Sequence, residues 1–428
     1  MNAAEQRREL RRYAKALGRG LGFLGLPHVE DPRRWFEWPL WQLLISVFAG
    51  LTSGCGSLKE VEELTAQLSP GMRRKLRIPR RVPDTTLRDL LVGLSLDSLR
   101  EMLRRQVRAA HRRKQLRPDE LPFGMIAIDG KHTVTRRPDE VYAQRQGDHA
   151  VVRTLTCALT SSPAAVCIDA APIPKELNEC SAFPSVLDEL VDTYGRLKLF
   201  NLVSADAGIT SKANAARVVD HGLHTVFTSN VFVSNVFAIK NDQPTLIDEA
   251  ARLLERRSSE QAAAETIDRL DNNTVDIRRV WLTDEMAGYH EWNHLHTVLR
   301  VQRLVRRDDG TIKSCEDRYF VSSCETDTLS PEQWLRAVRW HWRVENDCHG
   351  VFDNFLREDE RPWLHTAYGM LVIMLLRRVA YNLLVLYRNV VRRGERKGDI
   401  PWRELLSRMR WALVASTADV LEGLGAHG

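Results

Sequence analysis

The stretch that decides the fold is MIAIDGKH, residues 125–132, in which four apolar residues precede Asp129. A second stretch, NLVSADAG at residues 201–208, has the same form, with an apolar run that ends at Ala205 and is followed by Asp206. Short apolar runs bounded by turn residues are typical of buried strands. We therefore predict two buried strands that each end in a carboxylate.

The segments around these stretches alternate between strand and helix patterns. The predicted strands are residues 123–129, 151–160, 165–171, 199–205 and 224–228, and the predicted helices are 185–197 and 212–221. The order β-β-β-α-β-α-β is that of the ribonuclease-H-like fold, in which the first and fourth strands are neighbours. Asp129 and Asp206 are therefore expected to lie side by side.

A third carboxylate, Glu345, lies in RWHWRVENDCHG, residues 339–350. The sequence SPEQ at residues 330–333 is a capping box with proline at the first helical position, and it predicts a helix to about Phe355. Carboxylates from two strand ends and one helix can converge on two Mg²⁺ ions, for which Mn²⁺ would substitute. All three acids would then be metal ligands, with Asp129 as the bridge. One ion would activate a water for attack on phosphorus and the other would stabilise the departing 3′ oxygen.

Each acid also has an ordinary interpretation. Asp129 with its following glycine could form a turn, Asp206 could cap a helix, and Glu345 could be a solvated charge. His341, Glu345 and His349 are four apart and share a helix face, which also permits zinc. The spacing differs from that of zinc proteases, and we interpret the histidines as supporting or core residues.

Two further groups of side chains leave alternatives open. Lys131 could contact a phosphate or be an exposed lysine. Three tryptophans could stack a DNA base, although their helical spacing favours core packing: Trp334, Trp340 and Trp342.

Length and composition indicate a folded protein of two or three domains, with 428 residues, 43% hydrophobic and 28% charged. Residues 1–120 carry 24 Lys and Arg against 14 Asp and Glu, whereas the other 308 residues carry 38 against 42.

Seven scattered cysteines without a CxxC pair indicate neither a zinc knuckle nor a disulfide framework. The N-terminus lacks the apolar core of a signal peptide, and a reducing cytoplasm fits best. Two apolar stretches, residues 38–51 and 367–387, are interpreted as buried helices and not as membrane spans. The first is too short to cross a membrane, and the second carries Arg377 and Arg378 at its centre.

The organisation along the chain predicts four parts. Residues 1–120 form a helical, basic domain that binds DNA ends, with short helices, a basic loop at 73–83 and a cap at Asp84 that are compatible with a helix-turn-helix. Residues 121–229 form the first part of the core. Residues 230–328 form an inserted β-rich subdomain. Residues 329–428 complete the core with the acidic helix, an apolar helix at 366–387 and another at 412–424.

These residues resemble a known family, the DDE transposases of bacterial insertion sequences, most closely the H-repeat-associated type. The run HWRVENDCHGVFDNFLREDERPW at residues 341–363 resembles the family's last-helix signature. Other matches in family order are DPRRWFEWPLWQLL (31–44), AIDGK (127–131), PKELNE (174–179), SADAG (204–208), FAIKNDQPTL (237–246) and RYFVSS (318–323). Departures are His132 and Thr133 after the first motif, Gly350 in the last, and DNNTVDIRR (271–279) in the insertion.

The resemblance implies that Asp129, Asp206 and Glu345 are the catalytic, metal-binding triad. It also implies substrate-binding roles for further residues at matched positions: Lys131, Lys175, Asn178, Glu179, Lys240, Asn346 and His349. The expected protein binds terminal inverted repeats and target DNA as a homodimer, in the cytoplasm and on the nucleoid, without a membrane. Two alternatives remain, a decayed or domesticated relative that binds DNA without recombining it, and a stand-alone ribonuclease-H-like nuclease.

Overall fold

The computed structural model describes Arg12 and residues 29–229, 244–391 and 400–414, apart from positions 35, 36, 136, 140, 271 and 272. Lys240, most of the 237–246 motif and most of the helix predicted at 412–424 lie outside the described residues. The described part is a mixed α/β structure with one ten-stranded sheet.

In the described part of the chain, five helices precede the sheet: α1 Leu40–Thr52, α2 Leu58–Gln67, α3 Pro70–Leu76, α4 Asp84–Leu91 and α5 Leu96–Arg112. The predicted basic loop is wrong in its first half, because Ser69 caps α3 by accepting from the Met72 amide and Pro70 fits its first turn. The predicted cap of α4 is also wrong, since Pro83 occupies the cap position and Asp84 lies in the first turn. Leucines of these helices belong to the same hydrophobic cluster as the central strands, so helices and sheet share one core.

The centre of the sheet has the predicted strand order. Its strands are β1 Met125–Thr135, β2 Ala143–Gln146, β3 His149–Leu159, β4 Val166–Ile173, β5 Leu202–Ala205 and β6 His224–Ser229. The strand β1 lies between antiparallel β3 and parallel β5, with β4 beyond β3 and β6 beyond β5. The first and fourth predicted strands are therefore neighbours, as expected. The sequence did not predict β2, which forms a hairpin with β3. Helices α6 Glu179–Tyr194 and α7 Lys212–Asp220 make the crossovers to β5 and β6.

The segment between β6 and the acidic helix extends this sheet. It contains α8 Pro244–Leu254 and the strands β7 Ala264–Leu270, β8 Thr274–Thr283, β9 Thr297–Arg307 and β10 Ile312–Ser322. The four strands form an antiparallel meander, and β10 pairs with β6. This segment is thus continuous with the central strands through backbone hydrogen bonds.

The last part begins with α9 Pro331–His341, and the predicted capping box of Ser330 and Gln333 is present. The prediction of one regular helix to Phe355 is wrong, because a π-helical turn, Val344–His349, follows α9 and leads into α10 Gly350–Asn354. The wider turn buries Val344 and Cys348 while Glu345 stays exposed. Among the residues described after Asn354, two longer helices follow: α11 Ala367–Leu386 and α12 Trp402–Val414.

Helix α11 has a composition that would suit a membrane. The span Ala367–Val390 is long and apolar enough to cross one, but 94% of its apolar window is buried inside the protein. Arg377 and Arg378 are buried within it, where Arg378 pairs with Glu358 and Arg377 donates to the backbone carbonyl of Arg361. Since the helix packs against α5 and β4, it is a core helix of this fold.

Candidate active site

Asp129 and Asp206 lie side by side at the middle of the sheet. The parallel pairing of β1 with β5 ends at Ile128 and Ala205, so each aspartate is the next residue along its chain. The prediction that Asp129 ends its strand is wrong, because β1 remains paired with β3 as far as Thr135. Asp129 therefore lies where β1 parts from β5, with its side chain buried.

Glu345 approaches these aspartates from the π-helical turn. Although the residue is largely exposed, partial burial of its carboxylate raises its pKa, and the negative charge of Asp206 adds to the increase. Arg318 on β10 opposes this increase. The electrostatic effect of Asp206 on Glu345 indicates that the third acid faces the same site.

Asp129 is the most perturbed of the three acids. Burial raises its pKa to about 8, and the negative charges of Asp206, Glu345 and Glu179 contribute further. Burial also raises the pKa of Asp206, against the effect of hydrogen bonds from the backbone amides of Gly208 and Ile209. Several buried carboxylates that repel one another are typical of functional sites, where a bound cation would relieve the repulsion.

Glu179 adds a fourth carboxylate to this group. It is the first residue of α6, which Asn178 caps by accepting from the Ser181 amide. Burial raises the pKa of Glu179 and the charge of Asp206 adds to this, whereas His132, 3.1 Å away, opposes it. The resemblance implied a substrate-binding role for Glu179, and the structure places its carboxylate beside the aspartates.

Gly130 makes room for this carboxylate. A Cβ atom on Gly130 would lie 1.6 Å from Glu179 Oε1, and one on Gly208 would lie 3.4 Å from Glu179 Oε2. Any side chain at position 130 would therefore displace Glu179. The sequence analysis interpreted the glycine after Asp129 only as a possible turn residue.

The two histidines near Glu345 have separate partners. His341 is buried with Nδ1 2.8 Å from the Ser204 hydroxyl, and burial lowers its pKa to about 4. The Nδ1 atom of His349 lies 3.4 Å from Asp129 Oδ2. Burial lowers the pKa of His349 to about 3, so the contact is one between a neutral ring and a carboxyl group, not an ion pair. These separate partners disfavour the zinc interpretation and agree with a supporting role.

Lys131 is buried, so the interpretation as an exposed lysine is wrong. Its Nζ atom donates to Asp353 at 2.7 Å and lies 3.5 Å from Asp359. Thr133, two residues along the same face of β1, donates to Asp359 at 3.1 Å. These contacts fix β1 to the segment that follows the π-helical turn.

The remaining predicted residues lie around the carboxylates. Asn346 is exposed on the π-helical turn. Lys175 lies in the loop before α6, where its backbone amide donates to the Val141 carbonyl. Among the tryptophans, Trp334 is fully buried as core packing predicts, whereas Trp340 and Trp342 are half-buried and line a groove.

The chemistry of the donors suits Mg²⁺, although the carboxylates do not form a closed cage. Within the described ranges, no three His, Cys, Asp or Glu side chains are grouped closely enough to hold a metal ion by themselves. Mg²⁺ keeps several waters and uses only one or two carboxylates directly, so it does not require such a cage. Asp129, Asp206, Glu345 and Glu179 supply the hard oxygen ligands that this cation prefers.

Comparison with known proteins finds structural likeness but no match at the level of sequence. No family model matches the chain, and no curated protein matches its sequence. The chain is similar to a piggyBac transposase solved as a synaptic complex with hairpin DNA, with a TM-score of 0.39 and 12% sequence identity. The likeness covers 92% of this chain and 76% of that chain. Similarity at this level does not define the fold or the activity of the present protein.

Proposed function

We propose that this chain is a DDE transposase of an insertion sequence. It would bind the element's terminal inverted repeats, cut the DNA and join the 3′ ends to target DNA. The observation that supports this most is the convergence of three acids. Asp129 and Asp206 each follow the last residue in the parallel pairing of β1 with β5, and the negative charge of Glu345 raises the pKa of Asp129. We assign the core to the ribonuclease-H-like fold on the strand order β4-β3-β1-β5-β6, with β7–β10 inserted before Glu345.

The chain's own residues would create a rigid, negatively charged site. Bound Mg²⁺ would supply positive charge for activating a nucleophile and stabilising the departing 3′ oxygen. Pairing of β1 with β3 fixes the backbone of Asp129, and Asp206 directly follows the paired strand β5. His349 contacts the Asp129 carboxyl group from the π-helical turn. Asp129, Asp206 and Glu345 would hold the cations, with Glu179 as a further oxygen ligand.

DNA contact by the N-terminal helices is supported by their exposed basic side chains. These lie on α3 and the loop after it: Arg74, Lys75, Arg77, Arg80 and Arg81. Arg80 and Arg81 are paired with Glu37 and Glu62, so part of this charge is neutralised within the protein. Phosphate contacts of this type would give salt-dependent affinity without reading sequence. Pairing two DNA ends would require a homodimer on DNA.

The direct test is cleavage and joining of labelled element-end DNA by the full chain in Mg²⁺ or Mn²⁺. Asp129→Asn and Glu345→Gln should abolish both products, because each removes a ligand charge while keeping the side-chain shape. Glu332→Gln, an exposed change on α9, is the matched control and should leave both products unchanged.

Other outcomes distinguish the alternatives. Binding of the ends without cleavage in either metal would favour a decayed DNA-binding relative. Cleavage without joining would favour a ribonuclease-H-like nuclease. Products that survive both substitutions would mean that the chemistry occurs elsewhere.

A further inference from the structure

A groove of about 780 Å³ lies between strands β8–β10 and helix α9, and Glu345 forms part of its wall. Its floor is apolar and includes Phe320 and Val338. Five arginines line it from both walls: Arg278, Arg303, Arg318, Arg339 and Arg343. Trp340 and Trp342 complete the lining. The groove therefore combines guanidinium groups, indole rings and an acid of the candidate active site.

We propose that this groove binds unpaired nucleotides of one DNA strand next to the site of cleavage, an inference that rests on the proposed function. A volume of this size suits a ligand of small-molecule dimensions, about one or two nucleotides. A base within a duplex could not stack on the indole rings, because both of its faces are already covered by neighbouring bases.

The arginines are held in place to receive phosphate. Asp276, buried beneath the groove, pairs with Arg278 at 2.7 Å and with Arg303 at 3.0 Å, and Asp268 pairs with Arg339 at 2.7 Å. A guanidinium group has five N–H donors, so one acid leaves others available for a phosphate. The Nη1 atom of Arg278 is buried without a hydrogen-bond partner, although it lies 3.5 Å from Asp268.

The tryptophans are oriented by cations. The guanidinium carbon of Arg318 lies 4.5 Å from the ring centroid of Trp342, and that of Arg343 lies 5.9 Å from the centroid of Trp340. Neither indole is fully buried, unlike that of Trp334 near the start of α9. Half-buried aromatic rings among arginines are the usual platform for stacking the bases of single-stranded nucleic acid.

Acids on the rim limit the net charge of the groove. Glu316 lies 3.5 Å from Arg318, and Asp347 pairs with Arg343 at 2.7 Å. Stacking should therefore contribute more than charge, and the contribution of the groove should depend on salt less than that of the basic surface on α3.

The test uses fluorescence anisotropy of the full chain with two labelled DNAs of one sequence, a fully paired duplex and a duplex with a short unpaired end. Trp342→Ala should weaken binding of the unpaired end by about tenfold, the size of one lost stacking contact, and leave the duplex unchanged. Arg303→Gln should act in the same direction. Trp342→Tyr should restore most of the affinity because the aromatic face returns.

The matched controls are Trp411→Ala, at an indole that is 62% exposed on α12, and Arg252→Gln on α8. Neither should change affinity for either DNA. The groove is excluded as a nucleotide site if wild-type protein binds and cuts DNA while Trp342→Ala and Arg303→Gln leave the preference for unpaired ends intact. If wild-type protein binds neither DNA, the proposed function itself fails.

Discussion

Asp169 and Asp129 are both buried aspartates in the central sheet, but their surroundings are opposite. Asp169 on β4 is fully buried and accepts paired hydrogen bonds from Arg100 and Arg104 of α5, at 2.6 to 3.1 Å. Asp129 on β1 instead faces other carboxylates, and its pKa is raised to about 8. The first aspartate joins the N-terminal helices to the sheet. The second is repelled by neighbouring carboxylates, which lowers the stability of the fold. Such a destabilising arrangement indicates a binding site.

The largest effect is expected from removing the Asp169 carboxylate that pairs with Arg100 and Arg104. Asp169→Ala leaves Arg100 and Arg104 buried without this partner and should lower the free energy of unfolding by about 3–5 kcal/mol. Denaturant unfolding followed by tryptophan fluorescence would measure it. Glu189→Ala removes the more exposed partner of the same arginines and should cost less than about 1 kcal/mol. Equal losses for the two variants would contradict the comparison.

A smaller effect is expected from displacing one of the carboxylates that surround Asp129. Gly130→Ala should displace the Glu179 carboxylate and lower the rate of DNA cleavage by about tenfold, as is typical for disturbed metal surroundings. Stability should change little, because the displaced atoms are the end of a flexible side chain.

The Gly130 prediction has two controls. Glu179→Ala should cause a similar loss, and the double variant should be no worse than either single variant, since both act on one carboxylate. Gly71→Ala on α3, where a Cβ would meet nothing within 4 Å, should have no effect on cleavage. Additive losses would show that position 130 acts independently of Glu179.

A gain in stability is expected from neutralising Asp129, the carboxylate whose pKa is raised by burial and neighbouring charges. Between the ordinary pKa of 3.8 and about 8, unfolding of the cation-free protein releases a proton from Asp129, so stability falls as pH rises through this window. Asp129→Asn should therefore raise the melting temperature at pH 8 by about 2 °C or more, and the gain should vanish near pH 4. Differential scanning calorimetry in EDTA would measure both values. A lower melting temperature at pH 8 would contradict the assignment of repulsion at Asp129.

The sequence predicted the strand order and the neighbouring aspartates because apolar runs report buried strands directly. It misjudged the end of β1, since an Asp-Gly pair favours turns while the pairing with β3 that extends the strand is a tertiary effect. The burial of Lys131 was likewise hidden, because its partners Asp353 and Asp359 are more than 200 residues away. The position of Glu179 over Gly130 also depends on contacts that no local pattern records.

The π-helical turn Val344–His349 has a consequence for insertions and deletions in this chain. Removal of one residue from this turn could be absorbed by returning to ordinary α-helical winding, so the protein would be expected to remain folded. The helix after the turn would keep nearly its present orientation, because a π-helical turn contains one residue more than the α-helical turn that would replace it. Glu345, inside the turn, would instead shift relative to Asp129 even though no acid had been altered. Chain length within these six residues is thus as restrictive for this site as residue identity.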